Sequence, residues 1–276
     1  MPVGILYLVA TPIGNLEDMS PRAVRVLREA TLIAAEDTRH TGRLLAHFGI
    51  STPRTSYFEH NKLHKIDRIL TALAGGDAAL VSDAGMPAIN DPGYELVRAA
   101  LASGFDVRPV PGPSAPIAAL AVSGLPTDSF LYLGYLPHKA GERQKKLKEA
   151  ASQPHTLIFL ESPYRILEAL KDMLAALGDR RITVAREMTK LFEEYWRGEV
   201  SGALEYFKSQ PARGEFTLVV EGRIHPAPKR WTENRLSKAI DRELKRGKSA
   251  REISTKYGEV SGWKKRDIYN LISKEN

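Results

Sequence analysis

Four short segments concentrate the residue types that hold small molecules: TPIGN (11–15), EDTRHTG (36–42), SDAGMPAINDPG (82–93) and PGPSA (111–115). Gly and Pro let a backbone approach a ligand closely in a fixed shape, while Asp, Arg, His and Asn add polar contacts. Each segment follows an apolar run of strand length. Because the carboxyl ends of parallel strands meet at one sheet edge, we expect a single small-molecule site there, with tight turns alone as the alternative.

The ligand of these segments is not expected to be a pyrophosphate. Neither G-x-G-x-x-G nor G-x-x-x-x-G-K-[ST] is present, and the four segments contain one Arg and no Lys. Backbone N–H and C=O groups can instead hydrogen-bond to the amino and carboxylate groups of an amino acid and to the edge of an adenine base. An uncharged pocket surface tolerates a sulfonium. This favours a zwitterionic ligand with an adenosine end, such as S-adenosylmethionine, although the residue types alone do not single it out.

The elements that position these segments follow a β-α-β-α alternation, which predicts an α/β fold with a mostly parallel first sheet. The first block has predicted strands at 5–10, 31–36, 78–83 and 105–110, and helices at 21–30, 62–76 and 92–103. PGPSAP (111–116) interrupts it, with Pro113 or Pro116 opening the next helix. The second block has predicted strands at 130–135, 156–161, 182–187 and 216–222, and helices at 163–177 and 199–209.

Length and composition predict a globular chain with more than one core, since 43% of the 276 residues are apolar. We expect α/β domains at 1–112 and 113–225 and a helical domain at 226–276. The absence of cysteine excludes disulfides, a thiol nucleophile and a Cys-ligated metal. With no apolar run of membrane-spanning length, no signal peptide pattern and no metal-ligand spacing such as H-E-x-x-H, we expect a cytoplasmic protein without a metal.

The net charge of +7 lies entirely at the C-terminal end. Residues 226–276 contain 14 Lys and Arg against 7 Asp and Glu, whereas the preceding residues are neutral overall. Helices are predicted near 233–246, 249–257 and 264–274 in a helix-turn-helix-like unit, with Ser249 as an N-cap. Trp263 beside Lys264, Lys265 and Arg266 is typical of RNA-binding surfaces, and a stabilising or dimer-packing bundle is the alternative.

Eight motifs in order support a family resemblance: TPIGNL, AAEDTRHT, ALVSDAGMPAINDPG, PVPGPSA, LGYLP, FLESPYR, AREMTK and GEFTLVVEG. The chain resembles the tetrapyrrole-methylase-type (class III) methyltransferases, and within them those that modify small-subunit ribosomal RNA. The resemblance covers about residues 5–225. It implies two α/β domains with S-adenosylmethionine in the cleft between them, a homodimer, and 2′-O-methylation of a cytidine ribose at position 1402 of 16S rRNA in the small ribosomal subunit.

The same resemblance implies a set of cofactor contacts: Ile13, Asp83, Met86, Ser114, Ala115, Glu161, Met188 and Thr217. Asp83 occupies the middle of a Ser-Asp-Ala turn where the family has Gly-Asp-Pro, so the backbone path is expected to differ there. The Ser114-Ala115 pair matches the small pair of the family. Asn15, at the end of TPIGN, is expected to face the substrate.

The residue that accepts the hydroxyl proton is left open by the sequence. Candidates are Glu36 and Asp37 in EDTR, His60 in FEHN, and Glu187 and Lys190 in REMTK, of which Glu187, Lys190 and Asp37 are retained as catalytic candidates. Each has a structural alternative: a helix cap or an ion pair with Arg39 for the EDTR carboxylates, and an ion pair with Arg186 for REMTK.

Substrate contacts are expected from cationic and amide side chains: Asn15, Arg39, His60, Asn61, Arg165, Lys264, Lys265 and Arg266. The basic segment 138–148 is interpreted as an RNA-contacting loop or a solvated helix start. Two other functions stay open. One is methylation of a tetrapyrrole carbon in corrinoid or siroheme synthesis, against which the basic C-terminal end argues. The other is a non-enzymatic RNA-binding factor, against which the intact cofactor segments argue.

Overall fold

The computed structural model describes residues 4–58, 62–210, 213–223 and 230–274. They divide into two compact units, one ending at Arg223 and one that contains the three C-terminal helices. The first unit holds two five-stranded sheets flanked by helices. The predicted α/β fold class, with two sheets and a small helical C-terminal part, is therefore confirmed. Within these ranges the structure contains no helix with the length and apolarity needed to span a membrane.

The first sheet is parallel throughout, with the order β3-β2-β4-β1-β5. Its strands are β1 (Ile5–Val9), β2 (Leu32–Ala35), β3 (Arg54–Ser56), β4 (Ala78–Val81) and β5 (Asp106–Val110). Helices α1 (Pro21–Glu29) and α2 (Thr38–His47) pack on one face, and α3 (Lys62–Gly75) and α4 (Tyr94–Ala102) on the other. Residues 32–35 and 78–81 are completely buried, as expected for strands covered on both faces.

The second sheet is mixed, with the order β6-β7-β10-β8-β9. Its strands are β6 (Phe130–Tyr135), β7 (Thr156–Glu161), β8 (Arg181–Arg186), β9 (Glu194–Glu199) and β10 (Phe216–Val220). Among these strands only β6 and β7 form a parallel pair, because β10 lies between β7 and β8 and runs antiparallel to both. Helices α5 (Ala115–Val122), α6 (Ala140–Ala150), α7 (Ile166–Leu177) and α8 (Val200–Lys208) flank this sheet.

The structure adds elements that the sequence pattern did not predict. Helix α2 and the short strand β3 lie between 38 and 56, and β9 follows the REMTK segment. The basic segment 138–148 forms most of helix α6 rather than a loop. Two of its cations are used internally: Arg143 is buried against Asp172 at 2.7 Å, and the Lys146 Nζ donates to the carbonyl of Leu133 at 2.6 Å.

The C-terminal unit consists of α9 (Glu233–Leu244), α10 (Ala250–Val260) and α11 (Lys265–Lys274) around a small apolar core. Ser249 is the N-cap of α10 as predicted, and it forms a reciprocal capping box with Glu252. The indole Nε1 of Trp263 donates to the carbonyl of Trp231 at 2.8 Å. Arg230 and Arg235 stack on Trp263 and Trp231 respectively, so aromatic rings and cations are interleaved on this unit.

Candidate active site

A pair of backbone hydrogen bonds joins two of the four predicted segments where their strands end. The N–H of Thr11 donates to the carbonyl of Gly85 and the N–H of Gly85 donates to that of Thr11, both at 3.0 Å. The Thr11 hydroxyl also donates to the carbonyl of Ser82 at 3.1 Å. Gly85 has a φ of +81°, a conformation that favours glycine. The loops after β1 and β4 are therefore held together as one floor.

A cavity of about 320 Å³ opens above this floor, at the carboxyl edge of the first sheet. Its walls come from the β1 loop, helix α2, the β4 loop and two segments of the second sheet. The lining residues are Thr11, Pro12, Ile13, Gly14, Leu16, His40, Arg43, Leu44, Asp83, Ala84, Lys190 and Glu215. This is where open α/β sheets bind ligands. Of the predicted site residues, Ile13, Asp83 and Lys190 line the cavity.

Asp83 connects the cavity to the EDTR segment. Its Oδ1 accepts from the N–H of Asp37 at 3.1 Å, and its own N–H donates to the Glu36 Oε2 at 3.2 Å. Asp37 caps helix α2, and its carboxylate also pairs with Arg39. The hydrogen bond from the Arg39 side chain lowers the pKa of Asp37. The carboxylate is therefore a weaker proton acceptor than a free aspartate.

A further carboxylate, Asp91, lies in the same loop system and was missed by the sequence analysis. Burial, together with the charge of Glu36, raises the pKa of Asp91 to about 6. Burial likewise raises the pKa of Glu36, opposed by the hydrogen bond from the Asp83 N–H. Nearby, a Cβ on Gly134 of β6 would meet the Asn90 side chain at 2.2 Å, so the β4 loop packs directly on the second sheet. An Asp in a turn-forming Asn-Asp-Pro-Gly stretch gave no sign of this environment.

The REMTK segment closes the cavity from the second sheet. The Lys190 Nζ lies 2.8 Å from the Glu187 Oε1 and 3.2 Å from the Glu215 Oε2. Burial alone would lower the pKa of Lys190, but the hydrogen bond to Glu187 and the charge of Glu215 raise it overall. Burial would raise the pKa of Glu187, and its contacts with Lys190 lower it instead. Both groups are therefore ionised near neutral pH.

Backbone strain accompanies this closure. Glu187 and Thr189 have φ values of +52° and +67°, which side-chain-bearing residues rarely adopt. A Cβ on Gly14 would lie 2.5 Å from the Lys190 Cγ and 2.6 Å from the Thr189 Oγ1. Glycine at position 14 is what allows the β1 loop and the REMTK segment to approach so closely.

Several predicted cofactor contacts meet in one apolar cluster beside the cavity. Ile13 and Met188 are buried together in it with Ala185, and Ala115 packs against its edge. Thr217 is buried on β10, opposite Ala185 in the sheet register. Ser114 is the N-cap of α5 and makes no cap hydrogen bond with its side chain. Met86 is half-buried in the β4 loop, one residue after the bridge.

Two buried polar atoms at this edge of the second sheet have no hydrogen-bond partner among the described residues: the Glu161 Oε2 and the Thr189 Oγ1. The other carboxylate oxygen of Glu161 accepts from the Ser162 N–H at 2.7 Å and from Arg165 at 2.6 Å. Buried polar groups in folded proteins are normally paired, so each unpaired one calls for an explanation, of which a bound ligand is one. These acceptors, the Ser114 hydroxyl and the apolar cluster fit a ligand with both polar and apolar parts, as S-adenosylmethionine has.

The predicted substrate residues fall into separate places. Asn15 does not line this cavity; it lines a neighbouring depression, and its side chain caps a 3₁₀ turn at Leu16–Asp18. Arg165 is held by Glu161, Ser162 and the carbonyl of Leu136, which favours a structural role. Arg39 is largely exposed beside Asp37. His60 and Asn61 lie outside the described residues, and Lys264, Lys265 and Arg266 belong to the C-terminal unit.

Three titratable side chains that line the cavity were not among the predicted site residues: His40, Arg43 and Glu215. His40 and Arg43 are three residues apart on α2, so the signal that identifies them is helical spacing within EDTRHTGR, which the sequence analysis treated as a loop. Glu215 is positioned by the antiparallel return of β10, which no local pattern indicates. Within the described parts of the chain, no group of His, Asp and Glu side chains is arranged to hold a metal ion.

The raised pKa of Asp91 predicts a pH-dependent stability. Its carboxyl keeps a proton in the folded state up to about pH 6, whereas its ordinary pKa is 3.8. Between these values the folded state binds more protons than the unfolded state, so this group's contribution to stability falls as pH rises. Asp91→Asn removes the effect. Compared with this variant, the wild type should lose up to about 1.4 kcal/mol of unfolding free energy per pH unit between about pH 4 and 6.

Urea unfolding at several pH values in this window measures the difference. Asp128→Asn, a change of an exposed carboxyl on another loop, is the matched control. Stability curves of wild type and Asp91→Asn that stay parallel across the window would contradict the prediction.

Comparison with known proteins gives the site its context. Residues 5–203 match the family model of the tetrapyrrole (corrin/porphyrin) methylases. A ribosomal RNA small subunit methyltransferase I from Halalkalibacterium halodurans is 46% identical over 276 residues, covering 99% of this chain and 96% of its own length. A protein of the same name from Pseudomonas aeruginosa is 50% identical over 226 residues, covering 80% of each chain.

Solved structures agree on the fold. The uroporphyrin-III C-methyltransferase of Thermus thermophilus superposes with a TM-score of 0.53 at 22% identity, covering 79% of this chain and 94% of its own. A cobalt precorrin-4 methyltransferase superposes with a TM-score of 0.60 at 15% identity, with the same coverage. These findings confirm the resemblance that the eight motifs indicated: the chain belongs to the tetrapyrrole methylase family of methyltransferases.

Proposed function

We propose that this enzyme transfers a methyl group from S-adenosylmethionine to the 2′-hydroxyl of a cytidine ribose, cytidine 1402, in 16S rRNA of the small ribosomal subunit. The observation that carries the proposal is the 46% identity, over nearly the whole chain, to a relative named for ribosomal RNA small subunit methylation. The similarity to tetrapyrrole methylases in solved structures lies below 25% identity and supports the fold alone. The place of action would be the cytoplasm, where ribosomal subunits are found.

S-adenosylmethionine would supply an electrophilic methyl group on its sulfonium. The residues proposed to hold it are Ile13, Asp83, Met86, Ser114, Ala115, Glu161, Met188 and Thr217, at the facing edges of the two sheets. The apolar cluster around Ile13 and Met188 excludes water from one side. The unpaired Glu161 Oε2 is available to accept a hydrogen bond.

Lys190 is the one of the three catalytic candidates that lines the cavity. Because Glu187 and Glu215 hold its ammonium protonated, Lys190 cannot accept a proton and is instead suited to holding a ribose or phosphate oxygen. Asp37 and Glu187 are both engaged in ion pairs that weaken them as bases. We therefore propose that the rate comes chiefly from fixing the hydroxyl close to the methyl group and in line with the bond that breaks.

The proposal predicts where a labelled methyl group goes. Purified enzyme with methyl-labelled S-adenosylmethionine should label a ribose of unmodified small subunits and leave a tetrapyrrole precursor unlabelled. Nuclease digestion then locates the nucleotide.

Lys190→Gln should reduce kcat by about tenfold or more while the Kd for the cofactor changes little, since the proposed contact of Lys190 is with the acceptor.

The acceptors separate the alternatives. Label on the tetrapyrrole alone would refute the RNA proposal and would favour the alternative function, methylation of a tetrapyrrole carbon. Cofactor binding without transfer to subunits, free small-subunit RNA or the tetrapyrrole would refute both. Retention of full kcat in Lys190→Gln would contradict the role proposed for Lys190, but it would not affect the proposed methyl-transfer reaction.

The C-terminal unit is proposed to add RNA affinity through Lys264, Lys265 and Arg266, which precede or begin α11 beside Trp263. Changing all three to Gln in the full-length chain should weaken RNA binding. It should also flatten the plot of log K against log salt by about 0.7 for each phosphate of single-stranded RNA that is no longer neutralised. Filter binding at several salt concentrations measures this slope. An unchanged slope would favour the alternative of a stabilising helical bundle.

We also propose that the enzyme is a homodimer, as the family resemblance implies. Helix α5 supports this, because it is uncharged along its whole length and exposes Ile117 and Val122 to solvent. Sedimentation equilibrium should give twice the monomer mass, and Ile117→Glu should return it to the monomer mass if this face is the contact. A wild-type monomer at micromolar concentration would contradict the proposal.

A further inference from the structure

We propose that the groove between helix α2 and the segment Glu187–Glu193 receives single-stranded RNA on its way to the methyl-transfer cavity. Arg43 would contact a phosphate, and Leu191 and Phe192 would pack against a base. This inference rests on the proposed function and specifies the path by which its substrate enters.

The groove is a continuation of the cavity. A second depression, of about 810 Å³, lies outside it and is lined by Gly14, Asn15, Leu16, Glu17, His47, Phe48, Thr189, Lys190 and Leu191. Three of these residues, Gly14, Leu16 and Lys190, also line the inner cavity. The two depressions are therefore adjacent and share part of their lining, and the proposed path runs across both toward the ligand-binding edge of the first sheet.

One part of the lining presents hydrogen-bond donors. His40, Arg43 and His47 are spaced three and four residues apart on α2, so they lie on one stripe of the helix. His40 and Arg43 line the inner cavity, and His47 lines the outer depression. The His47 ring is fixed edge-to-face on Phe48, with ring centroids 4.8 Å apart. A row of this kind suits the regularly spaced phosphates of an extended strand.

The segment 189–191 forms another part of the outer lining and contributes one large apolar side chain, and Phe192 follows it in the chain. Leu191 lines the outer depression and is 90% exposed, and the neighbouring Phe192 is 76% exposed. An exposed aromatic and an exposed leucine in sequence are costly to leave in water unless a partner covers them. Aromatic side chains at such positions stack on unpaired bases without regard to sequence.

The segment that carries these side chains is held in a fixed shape. The N–H of Thr189 donates to the Glu193 Oε1 at 2.7 Å, and the Tyr195 hydroxyl donates to the same oxygen at 2.8 Å. Lys190 ties the segment to Glu187 and Glu215. Because the backbone is ordered before binding, little entropy is lost when a base packs on it. A preformed apolar surface beside a row of donors is the arrangement that single-stranded RNA requires.

The test measures RNA and cofactor binding separately on the full-length chain. Arg43→Gln should reduce the slope of log K against log salt concentration by about 0.7 for binding to in vitro transcribed small-subunit RNA. Phe192→Ala should weaken RNA binding about fivefold or more, and Phe192→Trp should restore it, since an indole stacks as a phenyl ring does. The Kd for S-adenosylmethionine should stay unchanged in the two Phe192 variants, since Phe192 does not line the cavity.

Matched controls come from the opposite face of the first sheet: Arg68→Gln on α3 and Leu101→Ala on α4, which should leave both affinities unchanged. Unchanged RNA affinity and salt slope in Arg43→Gln and Phe192→Ala would overturn the inference, even where the wild type methylates RNA. Variants that bind free RNA normally but methylate assembled subunits poorly would also overturn it and assign the groove to a ribosomal protein.

The proposed function is judged independently by the wild type. If the wild type binds free RNA but transfers no methyl group to small subunits or to free RNA, the proposed function fails while the binding comparison still decides the groove. If the wild type labels small subunits but does not bind free RNA, the proposed function stands and the groove inference fails.

Discussion

The pair of hydrogen bonds between Thr11 and Gly85 is the contact on which the site depends. Strands β1 and β4 are parallel neighbours in the first sheet, and beyond the point where both end the chain forms a local antiparallel bridge that joins their loops. It places Ile13 and Gly14 on one side of the cavity and Asp83 on the other. Asp83 in turn positions the start of α2 through its bond to the Asp37 N–H. A change at Thr11 or Gly85 would therefore disturb three walls at once.

Strain and buried charge are concentrated around the same cavity. Four described residues other than glycine have a positive φ, Ala88, Asn90, Glu187 and Thr189, and all of them lie in the two loops that bring the sheets together. Such conformations cost free energy and persist where the surroundings enforce them. The carboxylates of Glu36 and Asp91, whose pKa values are raised by burial, lie in this region too. On the side of the second sheet, Lys190 forms ion pairs with Glu187 and Glu215.

Much of the fold could be predicted from the sequence, because strand runs such as 130–135 and 156–161 and caps such as Ser20 and Ser249 are local signals. Elements fixed by tertiary contacts could not. Strand β9 consists of EYWRGE, whose charges mask its β character, and it forms because β8 offers a free edge. The insertion of β10 between β7 and β8 is likewise a long-range pairing with no local signature.

The candidate site was predictable in part for the same reason. The loops that contain Ile13 and Asp83 follow recognisable strands, so their meeting at one edge followed from parallel topology. The partners of Arg165 did not follow, since its burial against Glu161 depends on how α7 begins. From the sequence alone Asp37 could have been a base or a cap; in the structure its side chain caps α2, a contact that depends on where that helix begins.

The strand order of the first sheet has a consequence for synthesis on the ribosome. Within the described sheet, β1 pairs only with β4 and β5, so it has no strand neighbour until residues 78–110 have been translated. The close approach of Gly14 to residues 188–190 forms only after those residues have been translated, and the ion pair of Lys190 with Glu215 forms later still. A nascent chain would therefore lack the complete cavity until Glu215 had emerged, and its slowest folding step should be the closure of these distant pairings.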